Sequence, residues 1–419
     1  MKILVLSNLY PPHYVGGYEL CCQMTVEALR ARGHVIEVLT SDFAADGVTW
    51  GNDAGVTRTL RIHGMFGRPW LGILGLRRLE EFNNRTVRAA LDRIKPDLVF
   101  VWNCSGLSKS ILFTLQNSGV PAAFFVSDHW IARAAQADVW LRWWNGPAQS
   151  VAQKFLRAVW TLTGQRRKIQ RSTPTNAIAQ LQFRRVIFCS RALRELTATA
   201  GFAVRHGAII HCPVNIQRFN GQPRLASRPL QRLLYVGRLA DDKGVMTLVR
   251  AMALLRDKFA GSLTICGRGE MAATLQQFVA SSRLPVTFDF TATPDRMPQV
   301  YASHDALLFT SEWAEPFALV PLEAMSCGLP VIGTTVGGSA ELFRDGENAL
   351  TYRAGSAEEL AQRILELDKD SLLREKIAAG GHREVRARLA EPVIIDQIEA
   401  YLGETLRGWQ PLPVLDYTA

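Results

Sequence analysis

The chain has 419 residues, 48% of them hydrophobic and 21% charged, with a formal net charge of +10. That composition belongs to an ordinary globular chain with ample core for two or three domains, and it excludes a fibrous or disordered one. There is no run of 18 apolar residues to span a membrane, the opening Met1–Leu6 run is too short for a secretory signal, and the seven scattered cysteines lack C-x2-C spacing. A cytoplasmic enzyme with reduced thiols is therefore expected, rather than a zinc or disulfide framework.

The charge is uneven. Residues 1–210 carry 26 Lys and Arg against 13 Asp and Glu, whereas the remainder carries 22 against 25. The basic first half suits an anionic partner, whether substrate, lipid surface or nucleic acid.

In chain order, Lys2–Leu6 reads as a buried strand, Gly16-Gly17 opens a helix from about Tyr18 to Ala31, and Val35–Thr40 is a second strand. This is a βαβ start whose glycines let a ligand approach the backbone, but it is not the G-x-G-x-x-G of dinucleotide binders. Asp97–Val101 and Ala122–Val126 follow as strands, the second running into Ser127-Asp128-His129-Trp130. His129 can take or give a hydrogen bond near neutral pH.

Residues 139–194 then hold 11 Lys and Arg and no carboxylate. Trp140, Trp143 and Trp144 share one helical face, and Val151, Phe155, Leu156 and Val159 mark an amphipathic helix among cations. Two readings fit equally: an interfacial element on an anionic membrane surface, or a helix packed on its own domain. No nucleic-acid-binding module is visible. Val186–Cys189 and Ala208–Ile210 close the first domain, and the polar stretch 221–229 reads as a linker.

A second strand–helix alternation starts at Arg232. Arg238 and Lys243 share the loop after its first strand, where two cations could clamp a diphosphate. Leu263–Cys266 runs into Gly267-Arg268-Gly269, and Val286–Phe290 is the next strand. After the strand Ala306–Phe309 comes Ser311–Pro330, with Glu315 in the loop and Glu323 in the second turn of the next helix. Carboxyl ends of parallel strands are where open α/β sheets bind ligands. Pro316 pre-sets a first helical turn there. Val331–Thr334 is a strand, and Leu360–Leu367, Leu372–Leu389 and about Val393–Leu406 are helical. The single D-x-D, Asp368-Lys369-Asp370, reads as a surface turn between helices. The alternation predicts two Rossmann-like domains, 1–210 and 225–390.

The stretch E-P-F-A-L-V-P-L-E-A-M-S-C-G-L-P-V-I and the loop V-G-R-L-A-D-D-K-G resemble the retaining glycosyltransferases of family 4, the group 1 glycosyltransferases. The resemblance implies the GT-B architecture, two Rossmann-like domains facing across a cleft, with residues 391–419 crossing back to the first. It implies a sugar moved from a nucleotide-diphosphate donor to an acceptor, with no metal or other cofactor. It assigns catalytic roles to His129, Glu315, Arg238 and Lys243. The donor would be held by Gly16, Gly17, Arg238, Lys243, Gly267, Glu315, Phe317, Ala318, Leu319 and Glu323, the last at the ribose hydroxyls. Ala318 stands where the family has Gly. Asp128 and His129 are reversed relative to many members, which leaves open which of them fills the role. The expected acceptor is a lipid-linked or cell-surface glycan precursor. The alternatives are a soluble small-molecule acceptor, a nucleotide-sugar epimerase or hydrolase, and a non-catalytic nucleotide-sugar binder.

Overall fold

A computed structural model describes residues 1–49, 53–223 and 229–410. They form two compact units. The first comprises Met1–Cys189, Leu193–Ile210 and the chain from Ile395 onward, and the second comprises Ser190–Ala192 and His211–Ile394. The linker expected over 221–229 lies mostly outside the described residues.

In the first unit the strands are β1 (Lys2–Ser7), β2 (Val35–Ser41), β3 (Val56–Leu60), β4 (Leu98–Asn103), β5 (Ala122–Val126), β6 (Val186–Phe188) and β7 (Ala208–Ile209). Among the described residues they make one parallel sheet in the order β3-β2-β1-β4-β5-β6-β7. Its helices are α1 (Gly17–Ala31), α2 (Ile73–Ile94), α3 (Ser110–Asn117), α4 (Ala134–Ala137), α5 (Val139–Asn145), α6 (Val151–Leu162), α7 (Gln165–Ser172) and α8 (Arg191–Thr199). Ile3 to Leu6 of β1 and Leu98 to Val101 of β4 are wholly buried. Helices on both faces of a parallel sheet demand that kind of unbroken apolar strand.

The second unit repeats the plan. Its strands are β8 (Arg232–Val236), β9 (Ser262–Cys266), β10 (Val286–Asp289), β11 (Ala306–Phe309), β12 (Val331–Thr334) and β13 (Leu350–Tyr352), in the order β10-β9-β8-β11-β12-β13. Its helices are α9 (Val245–Leu255), α10 (Ala272–Ser281), α11 (Met297–Ala302), α12 (Leu319–Ser326), α13 (Ala357–Lys369) and α14 (Ser371–Glu384). Helix α9 turns Val245, Leu248, Val249, Met252 and Leu255 into the core beside Leu233 and Leu308. Each such side chain contributes about 1.5–3 kcal/mol by burial. A last helix, α15 (Glu391–Arg407), follows.

Both sheets therefore have the doubly wound order in which the chain reverses direction beside the first strand. The reversal lies between β1 and β4 in one unit and between β8 and β11 in the other. Two Rossmann-like domains, as expected, are what the chain forms.

Three local expectations need correction. Strands β3 and β13 go unmarked in the sequence reading. The helix expected to reach Leu389 ends at Glu384 and passes into a π-helical turn over Val385–Leu389. Pro316 does not open a helical turn: α12 starts at Leu319, with Ala318 as its N-cap. Trp140 and Trp144 are core residues, 0% and 2% exposed. The Trp140 indole donates to the Pro174 carbonyl at 2.8 Å and its ring meets Trp144 edge-on. The D-x-D works as helix punctuation: Asp368 accepts from the Leu230 amide, and Asp370 caps α14 by accepting from the Leu373 amide.

Candidate functional site

In the second unit the loops after β8 and β11 are fastened together. The pairing of Leu233 with Ala306 sets the two strands side by side, so their carboxyl ends open next to each other. Thr310 donates its hydroxyl to the Lys243 carbonyl at 2.8 Å, and the Glu312 amide donates to the Asp242 carbonyl at 3.0 Å. Thr247 donates to the Glu312 carboxylate at 2.6 Å. Gly244 makes the approach possible. Its φ is +64°, and a Cβ there would sit 2.0 Å from the Thr310 carbonyl oxygen.

This closure brings Lys243 against Glu315. The ammonium donates to Oε1 of Glu315, and Ser311 donates to the same oxygen at 3.0 Å. Both charged side chains are largely buried, 19% and 13% exposed. A pair this sheltered is costly to break from one side, because the remaining charge is left without a partner. The Lys243 ammonium also lies 5.3 Å from the centre of the Trp313 ring. Arg238 stands on the outer side of the loop, 58% exposed, paired with Asp242 at 3.1 Å. That exposed pair contributes only about 0–1 kcal/mol, so Arg238 is readily available to an anion.

Phe317, Ala318 and Leu319 lead into α12, and their amides belong to the positive end of that helix. Phe317 is stacked on the His211 ring, centroids 4.6 Å apart and planes 10° apart. Glu323 sits in the second turn of α12, half-buried, and accepts from the Tyr301 hydroxyl at 2.7 Å. Burial pushes its carboxyl up to about 7. Gly267 follows β9 with φ +151°, and a Cβ would fall 1.8 Å from the Gly237 carbonyl oxygen. Close backbone packing alone therefore requires glycine there.

The remaining candidates lie in the first unit, at the carboxyl ends of β1 and β5. Gly16 is the N-cap of α1, and its amide donates to Glu19 at 3.0 Å, with the Val15 amide also reaching that carboxylate at 3.3 Å. Gly17 begins the helix. Burial raises the Glu19 carboxyl above its usual range. The Tyr18 hydroxyl donates to Asn8 at 3.0 Å, and Asn8 donates to the Ser105 carbonyl at 2.9 Å. Asn103 donates to Asp128 at 2.7 Å, so the loops after β1, β4 and β5 share a polar network. Asp128 is tied into it, and the neighbouring His129 is buried, 8% exposed.

Sequence reading misses Asp242, Glu312, Trp313, Tyr301 and His211. Asp242 and Trp313 flank marked residues, a usable signal. Tyr301 and His211 reach theirs only through folding.

Residues 223–384 match the family described as glycosyl transferases group 1, and residues 15–218 match the one described as glycosyltransferase family 4. The chain belongs to the group 1 glycosyltransferases. Among curated relatives of this family member is N-acetyl-alpha-D-glucosaminyl L-malate synthase of Bacillus anthracis, 29% identical over 42% of this chain and 46% of that one. Another is the lipopolysaccharide core biosynthesis glycosyltransferase LpsE of Rhizobium meliloti, 30% identical over 41% of this chain and 48% of that one. The matches thus span less than half the length of these relatives. Among solved structures, Anabaena HepE in complex with UDP aligns over 96% of this chain and 100% of that one, with a TM-score of 0.66 and 21% identity. At that identity the likeness establishes the GT-B fold alone.

Proposed function

We propose that this group 1 glycosyltransferase transfers a hexose-type sugar from a nucleotide diphosphate to an acceptor hydroxyl, with retention at the anomeric carbon and without a metal. The observation that carries the reading is the Lys243–Glu315 pair at the strand-order reversal of the second unit, with Arg238 beside it.

Breaking the bond between C1 and the diphosphate leaves negative charge on phosphate oxygens. Lys243 and Arg238 supply positive charge there, and the amides of Phe317 to Leu319 supply oriented dipoles. Glu315 holds the donor sugar's hydroxyls, and Glu323 holds those of the ribose. Gly16, Gly17 and Gly267 are assigned to the donor, and His129 to turnover. In a retaining transfer, the new bond to the acceptor oxygen forms on the face the diphosphate leaves. The acceptor proton passes to the departing diphosphate.

The donor proposed first is a UDP-sugar, the class held by the HepE structures with UDP and UDP-glucose. The acceptor is proposed to be a lipid-linked or cell-surface glycan precursor, presented at an anionic membrane surface through residues 139–194. LpsE supports that choice by its name. The malate synthase supports a second reading, a soluble small-molecule acceptor.

The test is release of nucleoside diphosphate from a donor panel. Lys243→Ala is expected to lower kcat/KM by about two to three decades, the cost of one preorganised donor. Added EDTA should change nothing. Undiminished turnover in the variant, or loss of wild-type turnover with EDTA, overturns the scheme.

A further inference from the structure

Helix α6 is placed as a surface element with two opposite faces. At about 100° per residue, Gln153, Arg157 and Trp160 share one side and Val151, Phe155, Ala158 and Leu162 the other. The first side is fastened to the first unit. Gln153 donates to the Trp143 carbonyl at 3.2 Å, Arg157 donates to the Gly146 carbonyl at 2.9 Å, and Trp160 packs on Trp143 at 5.4 Å. The second side faces outward: Val151, Phe155 and Leu162 are 85%, 70% and 87% exposed. Among the described residues no side chain of α6 is buried.

A second exposed apolar group lies on α2 and in the loop before it. The Arg77 guanidinium of α2 is 5.8 Å from the Trp160 ring centre. One turn earlier Leu74 is 60% exposed, and Trp70 in the preceding loop is 68% exposed. Lys154, Arg167 and Lys168 are exposed in the stretch 139–194, which contains no carboxylate, and Arg78 of α2 is exposed as well. Exposed leucine and phenylalanine on α6, in a stretch that carries cations and no carboxylate, fit a surface that is apolar below and negative above. An ordinary protein partner would not need that one-sided charge.

We propose that α6, with Trp70 and Leu74, is the element that seats this protein on an anionic lipid bilayer. Val151, Phe155 and Leu162 enter the headgroup–acyl boundary, and Lys154, Arg167 and Lys168 meet lipid phosphates. This deepens the membrane reading above and rests on it for its purpose, but the contact itself needs neither donor nor acceptor.

The experiment is co-sedimentation of the full chain with vesicles of phosphatidylcholine alone, or of equal parts phosphatidylcholine and phosphatidylglycerol, at low and high salt. Binding is expected only to the anionic vesicles and should weaken with salt. Reversing Lys154, Arg167 and Lys168 to Glu should weaken it by about a hundredfold or more. Phe155→Ser with Leu162→Ser should weaken it by about tenfold or more. Circular dichroism, measured on the same variants, should match wild type. Equal binding to both vesicle types, or binding untouched by either set of changes, overturns the proposal. So does a serine variant that keeps vesicle binding but loses a dimer seen by sedimentation velocity, since the stripe would then join two copies. Failure at the vesicles leaves the glycosyltransferase reading standing, and failure of donor turnover leaves the docking result standing.

Discussion

Lys243 and Glu315 hold each other as an ion pair, so in the proposed scheme a donor diphosphate competes with Glu315 for the ammonium. Ser311 gives Glu315 a second hydrogen bond, so the carboxylate has a partner besides the ammonium. Glu323 presents a different case. Its carboxyl, raised by burial to about 7, is part-protonated near neutrality. The folded state binds that proton more tightly than the unfolded one, so this group's contribution to stability declines as pH rises from the ordinary carboxylate range through about 7. The proposed ribose contact has the opposite sense, since the carboxylate accepts hydroxyl protons best when ionised. Donor affinity is therefore expected to increase between pH 6 and pH 8, about one unit either side of that value, and Glu323→Gln should flatten the change. Titration of UDP by calorimetry across that range checks it. A wild-type affinity that falls with pH, or a variant that keeps the wild-type profile, contradicts the assignment.

At the scale of elements, Gly244 links the core helix α9 to the loop that carries Lys243. Its left-handed backbone and contact with Thr310 leave no space for a side chain. Gly244→Ala is expected to cost about 1–3 kcal/mol from backbone strain alone, with the clash adding to it. A thermal melt should show a lowered midpoint, and an unchanged one would mean the loop has slack that the geometry denies. The same loop shows what sequence reveals. The strand β8, the turn through Asp242 and the start of α9 are local features, set by apolar runs and a glycine, and were legible. The tryptophan run was not. Helical spacing shows that Trp140 and Trp144 share a face, but not what covers it, and the fold covers it with its own core. The apolar positions of α6 have a similar spacing, yet Phe155 and Leu162 stay outside. Likewise β3 is a short edge strand whose VTRTL sets three polar residues between two apolar ones, with no apolar run or alternation to stand out.

At the scale of the whole molecule, the carboxyl-terminal helix completes the first unit. Ile395, Ile398 and Leu402 are buried, Arg32 pairs with Asp396 and Glu399 at 2.7 and 2.6 Å, and the Tyr401 hydroxyl donates to the Val186 carbonyl at 3.2 Å. Ending the chain after Ile394 should uncover those apolar residues and lower the first thermal transition seen by calorimetry. An unaltered transition would show that the helix contributes little there. The proposed activity makes one requirement of the molecule: a nucleotide sugar must bind, and Lys243 must be part of how it binds. A thermal-shift panel of UDP-, GDP-, ADP- and dTDP-sugars on wild type and Lys243→Ala addresses that requirement. At least one donor should raise the wild-type midpoint in a concentration-dependent way, and the variant should lose most of that rise. No shift with any of the donors, or a shift equally large in Lys243→Ala, would contradict it.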